Sequence, residues 1–390
     1  MKRNYRVRTM NEISPVIFES LSEGYEVSPN VDEPDALIVR SADLHSYPVG
    51  DGLLAIARAG AGVNNIPITN CSERGIVVFN TPGANANAVS ELVVAALLIT
   101  GRDILGAADW VRELKGLDDT EITKRIEKEK NRFVGPELRG KSLGVIGLGS
   151  VGAFVANTAV GLGMEVSGYD PFISVEHAWT LSRSVKRITS LDEVLGECDY
   201  ISVHVPLIKQ TRGMFGKDTL ARMKRGAVLL NFSRGELADC GAVVEAVTSG
   251  ALRAYATDFP CGEMLGVQGI LCMPHLGAST PESEENCARM AAAQIRDYLE
   301  HGVIRNSVNL PDTAMPRTDA NRVTIIHQNV PGVVSGITGM VASDEINIAN
   351  MITQSKGNIA YMVLDIDGDF NRSRLSKLSA LEGVLRVRTV

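Results

Sequence analysis

Short apolar runs alternate along this chain with stretches in which apolar residues recur at helical spacing. In residues 1–90 the runs Ala36–Arg40, Leu53–Arg58 and Gly75–Asn80 predict buried parallel strands. Each ends in polar or glycine-rich residues: Arg40-Ser41, Arg58 through Gly62, and Asn80-Thr81-Pro82-Gly83. Val89–Ile104 predicts an apolar helix crossing into a second domain, and 117–132 a solvated charged helix with Glu121 and Arg125 at pairing distance. From 141 onward, Leu143–Ile146, Met164–Tyr169, Tyr200–Val205, Ala227–Phe232, Ala251–Thr257 and Gly269–Met273 read as strands. Helices such as Leu191–Glu197 and Cys240–Thr248 separate them. A long helix, Pro281–Glu300, is expected to return to the first domain. Residues 311–321 are Pro-rich and polar, a linker by composition.

The last 70 residues read strand, helix, strand, strand, helix, strand. Val323–His327 opens the series, Pro331–Ser343 is its first helix, and Val384–Val390 closes it. The expected class is therefore α/β: two doubly wound, Rossmann-like parallel-sheet domains followed by a ferredoxin-like βαββαβ domain. The domains are read as 1–90 with 282–310, 91–281, and 322–390 after the linker.

Composition narrows the partners. With 45% hydrophobic and 22% charged residues over 390 positions, the chain is ordinary for a soluble globular protein. A net charge of −7 speaks against nucleic acid, though local arginines can still attract an anionic substrate. The first ten residues carry no apolar run of the secretory kind, and Leu92–Ile99 is too short to span a bilayer. The six cysteines show neither a CxxC pair nor metal-ligand spacing. They are expected to be reduced thiols in a cytoplasmic enzyme without a metal.

The most informative stretch is 141–170. Gly147, Gly149 and Gly152 give GxGxxG between a strand and a helix, and a second strand ends on Asp170. The first glycine permits the turn, the second lets a pyrophosphate reach the backbone, and the third lets helix and strand pack. Phosphate charge is received by the free N–H groups of the helix start. Asp170, 23 residues after Gly147, can hold both hydroxyls of an adenine ribose and would repel a 2′-phosphate, which favours NAD over NADP.

A dinucleotide implies hydride transfer, which needs a cation to polarise the substrate, a proton-moving group and a carboxylate to support it. Arg234, His275 and Glu263 are candidates, each following a strand. His204 also stands at a strand end and fits a cofactor wall, or a plain structural role, better than a proton carrier. Arg40 and Arg58 fit either an anion site or surface ion pairs.

Taken together, GLGSVG with Asp170, HVPL with Thr211, NFSRGE, the Asp258/Glu263 segment and PHLGAST resemble the D-isomer-specific 2-hydroxyacid dehydrogenases over residues 1 to about 310. The resemblance implies that Arg234 binds the substrate carboxylate and 2-oxo group. His275 is then the acid/base, and Glu263 pairs with it. It implies NAD contacts at Gly147, Gly149, Ser150, Val151, Gly152, Asp170, His204, Val205, Pro206, Thr211, Phe232, Ser233, Arg234, Asp258, His275, Gly277 and Ala278.

Within the family, LIVRSAD at 37–43, ARAGAGVNNI at 57–66 and NTPGANANAVSEL at 80–92 resemble the substrate loops of the members that oxidise 3-phospho-D-glycerate at the entry to L-serine biosynthesis. Arg40, Arg58, Asn80, Gly83 and Ala84 would then bind substrate. The C-terminal domain is similar to ACT domains, which implies an L-serine effector site at His327, Asn329 and Asn347, and a homodimer or homotetramer. Three features depart from the pattern. Asn64 replaces an aspartate, DFPCGEM replaces DVFxxEP, and no extra domain precedes the ACT part. A hydroxypyruvate, glyoxylate or other 2-oxo-acid reductase and a non-catalytic NAD(H)-sensing scaffold remain as alternatives.

Overall fold

Five parallel strands open the chain: β1 (Tyr5–Met10), β2 (Tyr25–Ser28), β3 (Ala36–Val39), β4 (Ala55–Arg58) and β5 (Val77–Phe79), in the order β2-β1-β3-β4-β5. The structure, a computed structural model, describes residues 4–368 and 370–390. The sequence pattern found β3 to β5 and missed β1 and β2. In β1 the arginines Arg6 and Arg8 interrupt the apolar run, and only Val7 and Thr9 are buried. The strand order reverses between β1 and β3, the switch point at which ligands bind in such sheets. Arg40 follows β3 there, and two residues on the Ala42 N–H donates to the Asn11 side chain at 2.6 Å.

Seven parallel strands form the second sheet: β6 (Ser142–Ile146), β7 (Glu165–Tyr169), β8 (Lys186–Arg187), β9 (Tyr200–Val203), β10 (Ala227–Asn231), β11 (Leu252–Thr257) and β12 (Ile270–Cys272). Their order is β12-β11-β10-β9-β6-β7-β8, with the switch between β6 and β9. The central strands β6, β9 and β10 are buried along nearly their whole length because helices cover both faces. On one side the helices Ala86–Gly101 and Ser150–Gly161 supply Val93, Leu97, Val155 and Ala159 to the core. On the other side Leu191–Glu197 and Cys240–Thr248 supply Leu195 and Val243.

The C-terminal strands β13 (Asn321–Gln328), β14 (Asn347–Lys356), β15 (Ile359–Asp367) and β16 (Val384–Thr389) make an antiparallel sheet in the order β14-β15-β13-β16. One face is covered by Val333–Ser343 and Arg372–Ser379.

The chain divides into two compact units, Met1–Ala84 with Pro281–Val390, and Asn85–Thr280. The C-terminal sheet therefore belongs to the first unit. The helix Pro281–His301 places Ala288, Ala291, Ala292, Ile295, Tyr298 and Leu299 in one core with Val7 and Ile38, and with Ile326, Tyr361 and Val363 of the C-terminal sheet. Polar contacts seal that junction. Arg388 lies over the Tyr298 ring at 4.0 Å, and the Tyr361 hydroxyl donates to the Gly302 carbonyl at 2.7 Å. Arg322, buried against Asp365, also donates to the carbonyls of His301, Met315 and Pro316. The segment read as a linker is tied in as well: Thr313 and Pro311 are buried, and Thr313 bridges to Ile304.

Candidate active site and cofactor cradle

In the second unit the glycine loop follows β6 at the switch point. Gly147 has φ +90°, and a Cβ there would stand 2.6 Å from the His204 carbonyl oxygen. At Gly152 a Cβ would meet the Gly147 carbonyl oxygen at 1.9 Å, so the helix packs directly on the turn. Gly149 has nothing within 4 Å of its Cβ position and an unstrained backbone. Its hydrogen is the open floor of the loop. Asp170 follows β7 and binds the loop from beside it: one oxygen accepts from the Leu148 N–H and the other from the Phe172 N–H, both at 2.8 Å. Each oxygen keeps capacity for a further donor.

His204, after β9, has Nε2 2.8 Å from Ser202 Oγ, and its Nδ1 is buried without a partner. Burial lowers its pKa to about 3, so the ring is neutral near pH 7. Val205 and Pro206 continue the loop, and Thr211 closes it, its hydroxyl donating to the Pro206 carbonyl at 2.6 Å. Ser150 and Val151 begin the helix that follows the glycines.

Arg234, His275 and Asp258 stand after neighbouring strands, β10, β12 and β11. Phe232 is buried, and the Ser233 hydroxyl donates to the Val203 carbonyl at 2.8 Å, which anchors the turn before the exposed Arg234. His275 takes φ +45°, a left-handed conformation costly for a side chain with a Cβ. Its N–H donates to the Asp258 carbonyl at 2.9 Å, and its exposed ring packs against Phe259 in a tilted arrangement with centroids 4.6 Å apart. Asp258 is 2% exposed; one oxygen accepts from the Gly277 N–H at 3.0 Å and the other is buried without a partner. Burial pushes this carboxyl above the usual carboxylate range, against the pull of the Gly277 N–H and of the His275 and Arg234 charges. Ala278 follows in the same loop.

Glu263 is exposed on the short turn Gly262–Met264. Its Oε2 lies against the helix Cys240–Thr248, 3.5 Å from where a Cβ on Gly241 would be. Among the described residues no hydrogen bond or ion pair joins Glu263 to His275; Asp258 is the acid beside that histidine.

The first unit collects the remaining candidates. Arg58, ending β4, donates through Nε to the Arg40 carbonyl at 3.2 Å. Gly60 makes room for its guanidinium, since a Cβ there would stand 1.7 Å from a guanidinium nitrogen. The Asn80 side chain donates to the Ala61 carbonyl at 2.7 Å and so holds the glycine loop to the end of β5. Gly83 has φ +80°, and Ala84 donates to the Thr81 carbonyl at 3.4 Å, which closes the turn. Arg40 pairs with Glu284 at 2.6 Å.

His327 is 1% exposed, its Nδ1 2.8 Å from the Gln328 carbonyl oxygen and its Nε2 buried without a partner. Asn329 donates to the Gly357 carbonyl, and Asn347 to Asp367. His327 pairs with Ala360 and Asn347 with Asp367, so one chain places them at opposite ends of the sheet, about 24 Å apart along β15.

Two residues were not legible. Glu284 meets Arg40 from a helix more than 240 positions away, and nothing local marks it among its acidic neighbours. His177, whose Nε2 lies 3.3 Å from Ser150 Oγ, reaches the glycine loop from the helix after β7. The structure also corrects the cysteine reading: Cys240 and Cys261 form a disulfide, which a spacing of 21 residues gave no reason to expect.

The family profile "D-isomer specific 2-hydroxyacid dehydrogenase, NAD binding domain" matches residues 94–277, and "AHAS small subunit-like ACT domain" matches 323–386. The chain is 30% identical over 350 residues to D-3-phosphoglycerate dehydrogenase of Haemophilus influenzae, covering 87% of this chain and 81% of that one. The chain belongs to the D-isomer-specific 2-hydroxyacid dehydrogenase family.

A relative named D-3-phosphoglycerate dehydrogenase in Methanocaldococcus jannaschii is 34% identical over 315 residues, which span 78% of this chain and 57% of that longer one. Among solved structures, the chain resembles NAD+-bound 3-phosphoglycerate dehydrogenase of Entamoeba histolytica, with a TM-score of 0.60 and 28% identity, covering 78% of this chain and 99% of that one. For a D-2-hydroxyacid dehydrogenase the residues fit NAD. The open face of Gly149 leaves space that any Cβ would fill, and Asp170 retains acceptor capacity. The buried Asp258 oxygen and His204 Nδ1 await polar partners. No helix among the described residues is long and apolar enough to cross a membrane.

Proposed function

We propose that this D-2-hydroxyacid dehydrogenase oxidises the C2 hydroxyl of 3-phospho-D-glycerate to 3-phosphohydroxypyruvate, the first step of L-serine biosynthesis, in the cytoplasm. The observation that carries this reading is the 30% identity over 87% of the chain to a phosphoglycerate dehydrogenase, in a chain that keeps Arg234, His275 and Asp258 after adjacent strands. NAD, when bound, supplies the hydride acceptor. Arg234 holds the substrate carboxylate and the C2 oxygen, and its charge stabilises the carbonyl as it forms. His275 takes the hydroxyl proton at its exposed ring. Asp258, short of one partner, orients the cofactor end, and Glu263 is assigned to support the imidazolium. In the first unit Arg40, Arg58, Asn80 and the turn at Gly83 and Ala84 take the phosphate-bearing end. Glu284 keeps Arg40 in place until an anion competes for it.

The ACT domain is assigned L-serine as effector through His327, Asn329 and Asn347. Because one chain separates the first two from the third, this site requires two chains, in a homodimer or homotetramer. NADH formation from 3-phosphoglycerate at alkaline pH, with and without L-serine, tests both parts. Turnover that serine suppresses supports them together. Turnover untouched by serine removes the effector site. Turnover only of an unphosphorylated 2-oxo acid with NADH overturns the roles of Arg40 and Arg58.

A further inference from the structure

The Cys240–Cys261 disulfide spans Cα atoms 6.7 Å apart, a separation that thiols can bridge without backbone movement. The other four cysteines are free, and three of them are buried. Burial pushes the Cys71 and Cys198 thiols up to about 11, which keeps them unreactive at neutral pH. Cys240 and Cys261 are instead half-buried, within reach of a small reagent. Their positions matter more than their exposure. Cys261 immediately precedes the turn Gly262–Met264 that carries Glu263, and Cys240 is the first residue of the helix Cys240–Thr248. The bond therefore fastens the turn of Glu263 to the start of that helix, where the carboxylate lies over Gly241 and makes no hydrogen bond to His275.

We propose that Cys240 and Cys261 form a reversible redox site that governs whether Glu263 can reach His275. Oxidised, the cross-link parks the carboxylate over the helix start. Reduced, the turn is released and Glu263 pairs with the imidazolium. The inference rests on the role given above to Glu263. The oxidant is a small disulfide. One cysteine thiolate attacks it, forming a mixed disulfide and expelling one small thiolate. The second cysteine thiolate then attacks the protein-bound sulfur and expels the other. The cysteine pair loses two electrons, the small disulfide gains them, and the two cysteine protons pass to the released thiolates.

Full-length enzyme is equilibrated with dithiothreitol or with oxidised glutathione, and its thiols are mapped by differential alkylation and mass spectrometry. A peptide cross-linked between Cys240 and Cys261 is expected only in the oxidised sample. With 3-phosphoglycerate, kcat is expected to fall on oxidation by on the order of tenfold or more, with KM for NAD unchanged. Cys240→Ser and Cys261→Ser should each hold the reduced activity under both conditions. NMR titration of His275 supplies a readout independent of substrate: its pKa rises on reduction in the native enzyme and does not move in Glu263→Gln. Two free thiols after oxidation, serine variants as sensitive as the native enzyme, or a His275 titration blind to reduction would each overturn the switch. If no substrate turns over, the proposed reaction fails, and the thiol map with the imidazole titration still decides the switch.

Discussion

Gly149 and Gly152 stand three positions apart in one loop and answer to different constraints. A side chain at Gly152 collides with backbone at 1.9 Å, whereas one at Gly149 collides with nothing the chain itself provides. Gly149→Ala is therefore expected to leave the melting temperature unchanged while weakening NADH binding, read by fluorescence titration. Gly152→Ala should lower both. His275 offers a parallel separation, because Asn tolerates its left-handed backbone better than most residues. His275→Asn is expected to fold normally, and if His275 is the proton-moving group proposed above, kcat drops by about 10² or more. At this scale much was legible: Gly147, Gly149, Gly152, Asp170, Arg234 and His275 announce themselves by residue type and spacing. The neutral state of His204 and the unpartnered oxygen of Asp258 were not, because both arise from burial beneath neighbouring strands.

Among the elements, the C-terminal sheet carries the sharpest test. Arg322 and Asp365 are 1% and 0% exposed and meet across β13 and β15 at 2.7 Å. Removing the carboxylate leaves a guanidinium buried without its counter-ion. Asp365→Ala should therefore cost about 3–5 kcal/mol in urea unfolding, against less than about 1 kcal/mol for an exposed pair. Burial raises the Asp365 carboxyl, but the bonds from Arg322 and Thr318 outweigh it and hold the pKa below the usual carboxylate range. The sign follows from that depression. Above the unfolded carboxyl value of about 4 the contribution is fully present, and it is lost as pH falls through the lower folded value. Acid unfolding of Asp365→Asn should lack that component.

At the scale of the whole molecule, the C-terminal domain is part of the first unit's core. Ile326, Tyr361 and Val363 pack on Ile295, Tyr298 and Leu299 of the helix Pro281–His301. Ending the chain at residue 310 would strip that helix of its cover and expose the Tyr298 face. Such a truncation is expected to lose the unfolding transition of the first unit in calorimetry while the second, 85–280, keeps its own. A truncated enzyme with an undiminished first transition would show that the C-terminal sheet adds no stability.

The sequence by itself determined what local physics governs. Continuous apolar runs between helical stretches specify buried parallel strands, glycine spacing specifies a phosphate turn, and βαββαβ alternation specifies the last domain. Only the tertiary structure decided which distant groups meet: Glu284 with Arg40, Cys240 with Cys261, Asp258 rather than Glu263 beside His275, and Arg388 over Tyr298. Those pairings depend on how helices and strands stack in space, over separations from 17 residues for Asp258 and His275 to 244 for Arg40 and Glu284, and hydrophobic period carries no information about which polar groups that stacking brings together.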